Sequence, residues 1–65
     1  MKKVWVAVQF NGYEIVGPRK ADAVAHAANG RDALFYVCPS LSNAERGNIY
    51  YGSLKRYRRD DLLAR

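Results

Sequence analysis

"KVWVAVQFNGYEIVG", residues 3–17, decides the fold. Apolar and polar or small residues alternate through its first half, with Val4, Val6, Val8 and Phe10 on one side and Lys3, Trp5, Ala7 and Gln9 on the other. That period of about two residues is the mark of a strand. Asn11-Gly12 follows at once, a dipeptide suited to the positive φ angles of a tight hairpin turn, and a second alternating run succeeds it. A two-residue loop centred on Asn11-Gly12 predicts Phe10 opposite Tyr13 and Val8 opposite Ile15, with Gln9 facing Glu14 and Ala7 facing Val16 on the reverse side.

Working outward, Gly17-Pro18 ends the second strand. "RKADAVAHAANG" then places Ala21, Val24, Ala25 and Ala28 at helical spacing, closed by Asn29 or Gly30. A stripe made mostly of alanine lets a helix lie close to a sheet, so it is expected over Val6, Val8 and Ile15. "ALFYVC", between Gly30 and Pro39, reads as a third strand. "SLSNAERG" is a polar connection in which Ser42 and Glu45 fit a capping box, with Gly47 leaving room for about one helical turn. "NIYYGSLKRY" reads as a fourth strand, and Asp60 as the cap of a last short helix, "DDLLAR", that returns Leu62 and Leu63 to the core. A helix running from Ser53 to residue 65 is the alternative for this end. The expected fold is α+β: ββαββ, a four-stranded antiparallel sheet with one helix on one face and a short C-terminal helix, forming a single domain over residues 1–65. Its expected core is Val6, Val8, Ile15, Val24, Ala28, Leu34 and Tyr36.

A chain of 65 residues buries one thin core, which places function on the surface. The net charge is +5, and residues 46–65 hold six basic and two acidic side chains against five and four in residues 1–45. A basic face of this kind favours polyanions or acidic protein surfaces. No apolar run approaches the roughly 20 residues of a membrane span, and "MKKVWVAVQF" lacks a signal-peptide cleavage site. One cysteine, Cys38, agrees with a reducing compartment. The expected location is therefore the cytoplasm, with no membrane contact.

Side chains with catalytic potential are single and scattered. His26 is the one histidine, expected on the helix surface, and Cys38 reads as a buried thiol. Together they fall short of a nucleophile–base–orienter set or a tetrahedral zinc site. "YVCPS" is similar to the start of a zinc ribbon, but Leu41 stands where the second cysteine belongs. "IYYGS" resembles the second tripeptide of a GIY-YIG nuclease at Tyr51, Gly52 and Ser53, with Arg58 or Arg59 as the arginine. The first tripeptide has only "FYV" at residues 35–37, and the acidic metal ligand of such nucleases has no counterpart. The expectation is a non-enzymatic protein with no catalytic residue, metal or cofactor.

The mixture of tyrosine and cations in "NIYYGSLKRYRR", residues 48–59, carries the functional expectation. On a strand, Lys55 and Tyr57 share the outer side. Rings stack on bases, cations follow phosphates, and tyrosine and arginine anchor protein interfaces. The expected partner-binding residues are Lys55, Arg56, Tyr57, Arg58 and Arg59, joined by whichever of Tyr50 and Tyr51 faces outward. Taken alone, such residues also suit an edge strand guarded by cations against sheet association. The strand-strand-helix-strand order, with "KVWVAVQF" and an xxDAxxxA helix within "ADAVAHAANG", resembles small phage inhibitors, among them some anti-CRISPR proteins and a small inhibitor of bacterial RNA polymerase. The resemblance implies a non-catalytic protein of a phage or mobile element that occupies a host protein or nucleoprotein complex in the bacterial cytoplasm. Direct DNA or RNA binding is the alternative.

Overall fold

The computed structural model describes residues 3–29 and 33–64. The chain forms an α+β fold in which β1 (Val4–Gln9), β2 (Gly12–Gly17), β3 (Leu34–Cys38) and β4 (Arg56–Arg58) build one antiparallel sheet in the order β2-β1-β3-β4. Helices α1 (Lys20–Ala28), α2 (Leu41–Glu45) and α3 (Arg59–Leu63) cover it, and a single 3-10 turn, Tyr51–Ser53, precedes β4. The short C-terminal helix is present, and it returns Leu62 and Leu63 to the core as expected. No helix among the described residues is long and apolar enough to cross a membrane.

The β1–β2 hairpin forms with a different register from the one the Asn-Gly dipeptide suggested. Gln9 pairs with Gly12, Val8 with Tyr13, Ala7 with Glu14 and Val6 with Ile15, so the loop is Phe10-Asn11. Gly12 carries the unusual backbone angle, φ +147°, while both loop residues keep negative φ. A loop moved back by one residue changes every pairing by two. Each side chain therefore keeps its expected face, because faces alternate with period two. Beyond Val6 the register breaks at a bulge, and Trp5 pairs with Gly17. A Cβ on Gly17 would come within 2.6 Å of the Asp22 carboxyl carbon. That carboxylate accepts the Arg19 backbone N–H at 3.1 Å and starts α1, so a bare glycine is what lets β2 run straight into the helix.

Both faces of the sheet are covered, which corrects two expectations. Helix α1 lies over Trp5, Ala7 and Phe35 rather than over Val6, Val8 and Ile15, and α3 joins it there through Leu62. The valine face, with Val4, Val6 and Cys38, packs instead against Ala44 of α2, with Leu41 and Ile49 at its margin. Strands β2 and β3 both run antiparallel to β1 and so parallel to each other, making α1 a crossover connection. Such crossovers are almost always right-handed, so chain handedness decides the face. The buried stripe of α1 is Ala23 and Ala27, both 0% exposed, with Val24 beside them, rather than Ala21, Val24, Ala25 and Ala28. Alanine occupies two opposite sides of this helix, so composition could not single out the inner one.

The expected core is only partly the real one. Val6 and Tyr36 are buried, Val8, Val24 and Leu34 are half-buried, and Ile15 and Ala28 are exposed. Ile15 loses its cover because it sits on the edge strand, opposite Val6 but beyond the residues packed on α2. The largest fully buried side chain is Phe35, under α1. Helix α2 is capped by Ser40, whose Oγ accepts the Asn43 N–H at 3.2 Å, and not through the expected Ser42 and Glu45.

Candidate binding face

The long fourth strand expected over residues 48–57 is three residues, Arg56–Arg58. Local side-chain chemistry shortens it. Gly47, at φ +77°, turns the chain out of α2. The Ser53 N–H and Oγ–H both donate to the Tyr50 carbonyl, at 3.0 and 2.8 Å, and the Leu54 N–H donates to Tyr51 at 3.0 Å. A tight turn supplied with its own hydrogen bonds competes directly with a sheet ladder. The turn also lays Tyr51 on Tyr36, ring centres 4.9 Å apart. Burial, with Tyr13, Tyr36 and Cys38 nearby, holds the Tyr51 phenol above its ordinary pKa.

The short strand divides the basic run among separate places. Arg56 pairs with Tyr36 and Arg58 with Leu34, so both guanidinium groups stand on the valine face of the sheet. Both are exposed, and among the described residues neither forms an ion pair. Tyr57 points the other way and is half-buried, its ring 5.2 Å from that of Trp5, which corrects its placement on the outer side. Lys55 caps that ring with its ammonium 5.1 Å from the centroid. Arg59 is turned inward at the start of α3, where its Nε donates to the Ala27 carbonyl at 2.9 Å and satisfies the end of α1. Asp61, rather than Asp60, starts α3 by accepting the Arg58 backbone N–H at 2.9 Å. Of Tyr50 and Tyr51, Tyr50 is the outward one, at 79% exposure.

The accessible basic surface therefore centres on Arg56 and Arg58, beside half-buried Leu34 and Val8 in the neighbouring strands. Tyr13 borders it at the far side of the sheet, its hydroxyl donating to the Ala44 carbonyl at 2.9 Å. Val8, Tyr13 and Leu34 were missing from the expected site. The strand alternation holds the signal that finds them, since the three share a face with Arg58.

His26 and Cys38 lie on opposite faces of the sheet. The histidine ring meets the edge of Phe35 under α1, with its Nε2 buried, 3.5 Å from Glu14 Oε1 and without a hydrogen bond. It is packed inward rather than set on the helix surface. The cysteine is buried beside Val4 and Val6, its thiol donating to the Ser40 carbonyl at 3.3 Å. The sheet separates the two side chains that nucleophilic catalysis would need together. Tyr51 and Arg58, the residues of the nuclease-like segment, stand in the 3-10 turn and in β4 respectively.

No protein-family model matches the chain, and no curated protein or solved structure is significantly similar to it.

Proposed function

We propose that this chain is a non-catalytic binding protein that docks on a host nucleic-acid-processing complex in a bacterial cell, as an inhibitor encoded by a phage or mobile element would. The observation that carries the reading is the pair Arg56 and Arg58, exposed, without ion-pair partners among the described residues, and next-but-one on one face of β4. The planar guanidinium fork is pre-organised, so less freedom is lost per hydrogen bond made to a carboxylate or phosphate, and arginine is among the strongest interfacial anchors. Leu34 and Val8 extend the contact with half-buried apolar surface, and Tyr50 adds an exposed ring nearby in sequence.

Direct binding of DNA or RNA rests on the same two arginines. It is the second reading because Tyr36, Tyr51 and Tyr57 are engaged in ring contacts within the fold. A stacking platform for bases needs exposed rings, and in this segment Tyr50 is the freely exposed one. Charge reversal of both Arg56 and Arg58 to Glu tests the site, and capture from a bacterial lysate with and without nuclease tests the partner. A folded double variant that still captures the same complex would move the contact surface elsewhere. Retention on naked oligonucleotide, falling steeply as salt rises, would favour the second reading. Cleavage of nucleic acid with magnesium or manganese, lost on changing Tyr51 or Arg58, would overturn the non-catalytic one.

A further inference from the structure

The opposite edge of the sheet has a different character. Strand β2 is six residues long, has no Lys, Arg or Pro within it, and is exposed over most of its length. Among the described residues, three of the four exposed large hydrophobic side chains belong to this hairpin: Phe10 at 106%, Tyr13 at 41% and Ile15 at 36%. Edge strands are normally kept from pairing by inward charges, proline or brevity. The one charge in β2, Glu14, has its carboxylate beside His26 of α1, 3.5 Å away, on the face opposite Tyr13 and Ile15.

We propose that β2 is the seam of a symmetric homodimer, in which a second copy of this chain adds its own β2 antiparallel and extends the sheet across both molecules. Antiparallel residues alternate between those bonded to one neighbour and those whose N–H and C=O face outward. With Gln9 and Gly12 closing the turn, Tyr13 and Ile15 fall in the outward set. A two-fold axis at Glu14 then sets Tyr13 of each copy opposite Ile15 of the other, twice over, on one face, and the two Glu14 side chains opposite each other on the other face, a like-charge pair that the apolar contacts must outweigh. Aromatic and β-branched side chains make favourable cross-strand pairs. The same alignment brings Phe10 of one hairpin tip beside the Pro18-Arg19 end of the other, a contact of ring with proline and guanidinium.

The placement of the cationic strands favours this pairing over the other edge-to-edge arrangements. The strand order puts Arg56 and Arg58 on the far side of the sheet, so a β2–β2 seam holds the cationic strands of two copies, each of net charge +5, as far apart as the sheet permits. A β4–β4 seam would bring those arginines together. A β2–β4 seam would leave a free edge at each end and continue as an open chain of molecules.

Sedimentation equilibrium of the full chain from micromolar to millimolar concentration, with amide exchange of residues 13–15 at both ends of the series, tests this. The mass should rise from the 7.4 kDa of one chain towards twice that value, and protection of the Tyr13 and Ile15 amides should rise with it. Ile15→Lys, on an exposed position, should stay at one-chain mass throughout and lose the concentration-dependent protection. If Ile15→Lys fails to fold, the amide-exchange series of the parent decides alone. A parent chain of one-chain mass at millimolar concentration, or amides 13–15 equally exchanging at both concentrations, overturns the proposal. A folded Ile15→Lys variant that still sediments as a dimer also overturns it. Capture of an extended foreign peptide by a strictly monomeric β2 would overturn it in favour of a heterologous added strand.

Discussion

The two edges of the sheet, β4 and β2, solve the same problem in different ways. Strand β4 is three residues long and alternates cation, ring, cation, with Tyr57 held between Trp5 and Lys55 and α3 following without a break. Strand β2 is twice that length, projects Tyr13 and Ile15, and carries no cation. A short, arginine-bearing edge discourages another strand and offers its side chains instead. A long apolar edge offers its backbone. One small sheet can thus hold two unlike contact surfaces, and changes at either edge should be separable from changes at the other.

The largest effect should come from taking away what fixes β4 to the core. Trp5→Ala removes the buried ring on which Tyr57 rests and should cost about 3–5 kcal/mol. That is a large share of the stability of a domain this small. Urea denaturation measures the loss, and amide exchange should show residues 56–58 opening ahead of the β1–β3 ladder. An unchanged midpoint would mean that β4 is held by its three-residue ladder alone.

At the β2 edge the corresponding change is Gly17→Ala. The added methyl group would meet the Asp22 side chain, displacing the carboxylate that starts α1. The expected cost is about 1–3 kcal/mol. Gly12→Ala shares the positive φ but meets no atom within 4 Å, so it should cost less. Equal midpoints for the two variants would show that backbone strain, and not contact with Asp22, sets the penalty.

Within the basic run, neighbours should behave as opposites. Arg59→Ala leaves the Ala27 carbonyl at the end of α1 without its donor and should cost about 1–2 kcal/mol. Arg58→Ala, on the exposed face, should stay within about 0.5 kcal/mol. Thermal melts of the pair test whether the division of this run between surface and core is real.

The smallest effect belongs to Tyr51. Burial raises its phenol above the ordinary value of 10.0. The unfolded chain therefore releases this proton at lower pH than the folded one. The stabilising contribution is complete below that ordinary value and is lost as pH rises through the folded one. Tyr51→Phe should flatten the fall in stability measured by urea titration above pH 10.0 while leaving neutral stability nearly unchanged. A parent and variant that lose stability in parallel there would assign the alkaline loss to other groups.

The sequence by itself determined which residues of β1 and β2 share a face and about where α1 ends and β3 begins. Alternation in "VWVAVQ" survived a wrong turn centre because a change of two in pairing leaves the faces unaltered. Asn29 closed α1 as expected, and Leu62 and Leu63 went to the core as expected of the short last helix. Tertiary structure alone decided which face α1 covers and which of its alanines are inside, because a period gives membership of a face but not its partner or its hand. It also decided the fate of residues 55–59. Alternation along a strand separates Arg56 and Arg58 from Tyr57, but only contact with distant residues turns Tyr57 onto Trp5 and Arg59 onto Ala27. A charge run is a local property of the chain, whereas the share of it left facing solvent depends on carbonyls and rings that the fold brings from more than thirty positions away.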